Sequence, residues 1–168
     1  PLFFKQLQKK ARKRPNIYLN NYGLGDKEEA LPYDPSTQSF LLPVTNPSLP
    51  IKTLDWYVKE NKITHIDFLK IDTEGFAYKV LLGCRHAIGI TKAIQFEYWD
   101  GVEKFYQLLK DKFKMWLIIE PRLRKVLEDI TRVFYPEILY PLNENMRRII
   151  DEKLIKRHAG GNILCQKL

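Results

Sequence analysis

Residues 66–75, Ile66-Asp67-Phe68-Leu69-Lys70-Ile71-Asp72-Thr73-Glu74-Gly75, decide the fold. The first six are rich in β-branched and apolar side chains and read as a buried strand. Asp72 to Gly75 then breaks the run. Behind it Ala77, Val80, Leu81, Cys84, Ala87 and Ile88 recur at helical spacing, which predicts one helix from about 76 to 88. Further along, 93–98 reads as a strand, and Val102, Phe105, Tyr106, Leu109 and Phe113 as a helix. Residues 115–119 read as a strand stopped by Pro121, and Leu123 to Phe134 as a helix. Met146 to Leu154 reads as the last helix, and 162–168 as a final strand after Gly160-Gly161. Strands alternating with helices predict an α/β domain with a mainly parallel sheet.

Toward the N-terminus, Thr53 is placed to cap a short helix carrying Leu54, Tyr57 and Val58. Five of the ten prolines fall within 31–50, so this is an irregular excursion, with room for an edge hairpin around 38–44. Residues 16–22 read as a strand that turns at Gly23-Leu24-Gly25-Asp26. Residues 2–14 read as a helix with Phe3, Phe4, Leu7 and Ala11 on the side packed against a sheet and the bases turned to water.

A length of 168 residues fits one domain with its own core. At 45% apolar and 29% charged, the chain is neither disordered nor collagen-like. The longest apolar runs are far short of a membrane span. Cys84 and Cys165 stand alone, without metal-ligand spacing, and read as reduced residues of a cytoplasmic protein. His65, His86 and His158 form no zinc pair, and there is neither a G-x-S-x-G nor a phosphate-binding G-x-x-x-x-G-K motif. Six of the cations behind the net charge of +8 lie in residues 1–14, which hold no acid.

In open α/β sheets ligands bind beyond the carboxyl ends of the strands. Asp72 and Glu74 leave the 66–71 strand there, two residues apart, and Glu97 leaves the next one. Three carboxylates in one crevice can act as a general base, hold an amine or ribose, or bind a divalent metal. One of the first two could instead cap the following helix. Phe96, Tyr98 and Trp99 could wall a pocket, although strand aromatics more often belong to the core. Gly83 inside the helix is read as allowing close packing of helix on sheet.

The same stretch, with Val80-Leu81-x-Gly83 behind it, resembles the FkbM-type family of S-adenosylmethionine-dependent methyltransferases. That family reads I-D-x-[IL]-K-I-D-x-E-G, then V-L-x-G. Asn20 to Asp26, Lys52-Thr53-Leu54-Asp55 and Ile94 to Tyr98 resemble its flanking segments. The resemblance implies a Rossmann-like sheet of order 3-2-1-4-5-7-6, mainly parallel with an antiparallel last strand. It also implies methyl transfer from S-adenosylmethionine to a hydroxyl of a sugar or secondary metabolite, hence a small-molecule or glycan acceptor. Carried over by position, Asp72, Glu74 and Glu97 are the catalytic candidates. Leu24, Gly25, Asp26, Asp72 and Gly75 are the cofactor candidates, and no metal is implied.

Two departures stand out. The family's D-x-G-A-N loop and ribose-holding acid, which end its first two strands, are absent, and Ala77 stands where it usually has a second Glu. Residues 1–168 therefore read as a single partial methyltransferase domain. Such a chain is either a fragment of a longer protein or a remnant pairing 16–23 beside 66–72. Its own activity is in doubt, and its unpaired sheet edge is open to self-association.

Two rival readings remain. One is a Mg²⁺-dependent hydrolase or nuclease using Asp72, Glu74 and Glu97 as oxygen ligands. The other is a non-catalytic remnant whose basic helices bind nucleic acid or anionic lipid. The lack of Gly-rich or aromatic nucleic-acid motifs argues against a dedicated nucleic-acid reader.

Overall fold

The computed structural model describes residues 2–32, 48–134, 137–154 and 161–168. The hairpin expected at 38–44 lies outside them. Among the described residues two sheets form, and the chain is mixed α/β. The larger sheet has the order β4 (Ile66–Ile71), β5 (Thr91–Tyr98), β8 (Gly161–Lys167), β6 (Phe113–Ile118), β7 (Leu139–Pro141). β4 and β5 are parallel, and every other pairing is antiparallel. β8 runs back between β5 and β6, which share one direction, as expected of an antiparallel last strand; β7 adds a second reversed strand, so the sheet is mixed rather than mainly parallel. The smaller sheet joins β1 (Gly23–Leu24), β3 (Ser48–Lys52) and β2 (Glu29–Pro32).

The pleat sorts the larger sheet into two faces. The row Ile71–Phe96–Ile163–Leu117 runs across four strands and is buried throughout. It belongs to one core with α3 (Ala77–Leu82), α4 (Arg85–Gly89), α5 (Glu103–Leu109), α6 (Pro121–Thr131) and α7 (Glu144–Ile149), the last continuing into a π-helical turn, Ile150–Leu154. Phe96 stacks on Phe105 at 4.6 Å, so truncating it to alanine removes ~3–5 kcal/mol of packing. The alternate row, Lys70–Gln95–Leu164–Trp116, is only partly buried or exposed. Cys84 and Cys165 are free thiols on the buried side, each pushed up to about 12 by burial.

The 66–71 strand has the unpaired edge expected of it: among the described residues its one neighbour is β5, and Phe68 is 51% exposed. Several other expectations are corrected. Residues 16–22 form no strand, and Gly23–Leu24 pairs with β3 rather than beside 66–72. Ile17 and Tyr18 lie exposed while Leu19 is half-buried, and their alternation makes no strand. The helix expected over 76–88 breaks at Gly83–Cys84, because Asp55 caps a second start: its carboxylate accepts from the N–H of His86 (3.0 Å) and of Ala87 (2.8 Å). Gly83 is thus the C-cap of α3, packed on another turn rather than on the sheet. Phe113 opens β6 instead of closing α5. The helix expected to reach Phe134 ends at Thr131, where Arg132 turns left-handed at φ 60°. α1 (Leu2–Ala11) leaves Leu7 half exposed, so it does not pack that residue on a sheet.

Asp67, on the open edge strand, lies 2.9 Å from both Lys92 Nζ and His65 Nε2. Hydrogen bonding from Lys92, then from His65, holds its carboxyl below the usual range. A lowered folded pKa contributes stability that is present above the unfolded carboxylate value, about 4. That stability is lost as pH falls through the lower folded value. The melting temperature should drop on acidification below about pH 4. Asp67→Asn should make that drop shallower, and superimposable profiles would contradict the linkage.

Candidate active site at the carboxyl ends of two parallel strands

The turn after β4 is built by backbone chemistry. Ile71 anchors the strand end in the core, and the chain then reverses through Glu74 (φ 46°) and Gly75 (φ 92°). Glycine is at ease at that angle, whereas the left-handed Glu74 costs about 1 kcal/mol. A non-glycine residue held there is typical of sites where geometry is fixed for use. The N–H of Phe76 closes the turn on the carbonyl of Thr73 at 3.1 Å.

α3 starts at Ala77 with Phe76 as its N-cap and no side-chain capping bond. Neither Asp72 nor Glu74 caps that helix, which removes the simplest structural role for them. Ala77 is 2% exposed. A Glu in its place would meet the core.

The structure brings the three predicted carboxylates together. One oxygen each from Asp72, Glu74 and Glu97 lies within 4.8 Å of the others. Asp72 and Glu74 are exposed and Glu97 is half-buried. The cluster sits on the sheet face that also carries Phe68 and Lys70. Lys70 Nζ donates to Asp72 Oδ2 at 2.8 Å. That hydrogen bond, then the charges of Asp72 and Glu97, raise the Lys70 ammonium pKa. One cation against three carboxylates leaves a local excess of negative charge, suited to a cationic or polyhydroxyl ligand, or to a hard metal ion.

The second predicted segment reaches the first through one ring. A Cβ placed on Gly25 would lie 3.4 Å from a ring carbon of Phe76 and 2.8 Å from Ile51. Gly25 is buried, its N–H donating to the carbonyl of Lys52 at 2.9 Å, while Leu24 is half-buried and Asp26 exposed. Sequence reasoning missed Phe76 as the residue joining the two turns. It also missed Asp55 as the cap of α4. The Thr53-Leu54-Asp55 run marked the right place, but a cap whose partner lies 31 residues away leaves no local trace.

Of the three aromatics, Phe96 and Tyr98 are core, and Trp99, two residues beyond Glu97, stands 52% exposed. No helix among the described residues is long and apolar enough to cross a membrane.

A family model described as "Methyltransferase FkbM domain" matches residues 5–120, which include all three carboxylates and both turns. Comparison with curated proteins and with solved structures gives no match.

Proposed function

The chain belongs to the FkbM methyltransferase domain family, and on that basis we propose that it forms the acceptor side and part of the cofactor side of an S-adenosylmethionine-dependent O-methyltransferase. The observation that carries this reading is the convergence of Asp72, Glu74 and Glu97 at the carboxyl ends of two parallel neighbours. When bound, the cofactor supplies an electrophilic methyl group on a positively charged sulfonium. A cluster with excess negative charge suits that cation. Asp72 sits nearest the acceptor and takes the proton of its hydroxyl. Glu74, held in its left-handed turn, orients acceptor or cofactor, and Glu97 faces them across the crevice. Leu24, Gly25 and Asp26 form the adenine side, with the Phe76 ring of the second turn beside Gly25. The acceptor class is a hydroxyl of a sugar or secondary metabolite, in the cytoplasm.

The domain is partial in this reading. The neighbour order β4-β5-β8-β6, with β8 reversed, supports one half of a Rossmann-like sheet. The open edge of β4 is where further strands would add the glycine-rich loop and the ribose acid. Left unpaired, that edge is also a route to self-association.

The test is transfer of a labelled methyl group from S-adenosylmethionine to a panel of polyols and glycosides. A base-stable methyl ether is the expected product. Label found only in base-labile esters, or none at any cofactor concentration, would contradict the reading.

The spacing of the three carboxylates also favours a second reading, a Mg²⁺ site serving hydrolysis. Mg²⁺ would then raise the melting temperature of the wild type but not of Asp72→Asn.

A further inference from the structure

We propose that α1, together with Ile17 and Tyr18, is a docking surface for an anionic lipid bilayer. Lys5, Lys9, Lys10, Arg12, Lys13 and Arg14 are all exposed, and among the described residues none has an ion-pair partner. No acid interrupts the chain before Asp26. This is a uniformly positive patch on a protein whose remaining charges nearly balance.

The patch is not purely polar. Leu7 is 50% exposed on the helix, and Tyr18 is 82% exposed just beyond it, next to an exposed Ile17. Ala11 and Arg12 share a shallow groove with Ile17, Tyr18, Tyr57 and Asn61, so the helix end adjoins the exposed Ile17 and Tyr18. Exposed apolar side chains interspersed with lysines and arginines along one segment match the interfacial zone of a membrane. The apolar groups enter the acyl boundary there, and the cations reach the phosphates. An aliphatic Leu and Ile gain nothing from a nucleic-acid backbone, which is read by charge and aromatic stacking. This places the partner among anionic lipids rather than nucleic acids. The attachment is peripheral, since no described helix can span a bilayer. It depends on nothing at Asp72, Glu74 or Glu97.

Co-sedimentation of the full chain with vesicles tests the proposal. Binding to phosphatidylcholine mixed with phosphatidylserine should exceed binding to phosphatidylcholine alone by ~tenfold or more and weaken with added salt. Lys9→Glu with Lys10→Glu should abolish it. Leu7→Ser with Tyr18→Ser should reduce it several-fold at unchanged charge. All four positions are exposed, so an unchanged melting temperature should confirm that each variant folds. No preference for the anionic vesicles would overturn the proposal. So would single-stranded RNA binding at equal strength with the Leu7 and Tyr18 variant indistinguishable from wild type, which would mark a general polyanion surface.

Discussion

Gly83→Ala is expected to destabilise the fold by ~3 kcal/mol or more, since overpacking against a rigid neighbour has few routes of relief. Backbone conformation is not the obstacle, because Gly83 has φ −85°, which alanine adopts freely. The obstacle is space. A Cβ there would stand 2.0 Å from the carbonyl oxygen of Gly25, 3.1 Å from its carbonyl carbon and 3.3 Å from Asp26 Cα. Those are backbone atoms, and their turn is tied to β3 through the Gly25 N–H and the pairing of Gly23–Leu24. At ~2–4 °C per kcal/mol for a chain of this size, the melting temperature should fall by roughly 6–12 °C. Gly89→Ala is the control. It ends the short helix α4, but nothing approaches its Cβ position within 4 Å. It should change stability by no more than ~1 kcal/mol, and in the favourable direction. Equal melting temperatures for the two variants would show that the Gly25 turn yields easily.

Asp72→Asn is expected to lower methyl transfer by ~10²–10⁴-fold, the range over which a positioned proton acceptor acts. Asn keeps the shape and the contact with Lys70 but cannot take a proton. Stability should hardly change, because Asp72 and Lys70 are both more than half exposed and such pairs contribute little. Glu97→Gln should cost less, since the proposed mechanism gives the acceptor proton to Asp72 and not to Glu97. Saturating cofactor separates a chemical defect from a binding one. Transfer by Asp72→Asn at the wild-type rate would remove Asp72 from the reaction and leave the cluster a cofactor or metal site.

Long-range geometry, more than local pattern, separates the legible parts of the chain from the illegible ones. Thr53 accepting from the N–H of Trp56 is a local cap and was readable from its spacing. The carboxylates were readable because strand ends in an α/β sheet point to one place. The open edge of β4 was readable only through the resemblance: Ile66 to Ile71 by composition alone reads as a buried strand, while among the described residues its one neighbour is β5. The break in the 76–88 helix was hidden because distant contacts cause it. Its apolar spacing continues smoothly, and what interrupts it is a distant Asp55 and a distant Gly25. β7 passed unnoticed because three residues, one of them Pro141, hardly resemble a strand until β6 offers them an edge.

The central claim is that the cofactor and acceptor meet at the turns after β4 and β5, on the side of Gly25. Amide NMR of the isotope-labelled chain, titrated with S-adenosylhomocysteine, tests it most directly and detects even weak binding. The account predicts shifts concentrated at Leu24–Asp26, Asp72–Phe76 and Glu97–Trp99, with saturation only at high ligand concentration, as follows from the proposed partial domain. Shifts centred elsewhere, such as the groove of Glu120, Arg124 and Glu128 beside α6, or tight binding that leaves the Asp72 turn unmoved, would contradict it.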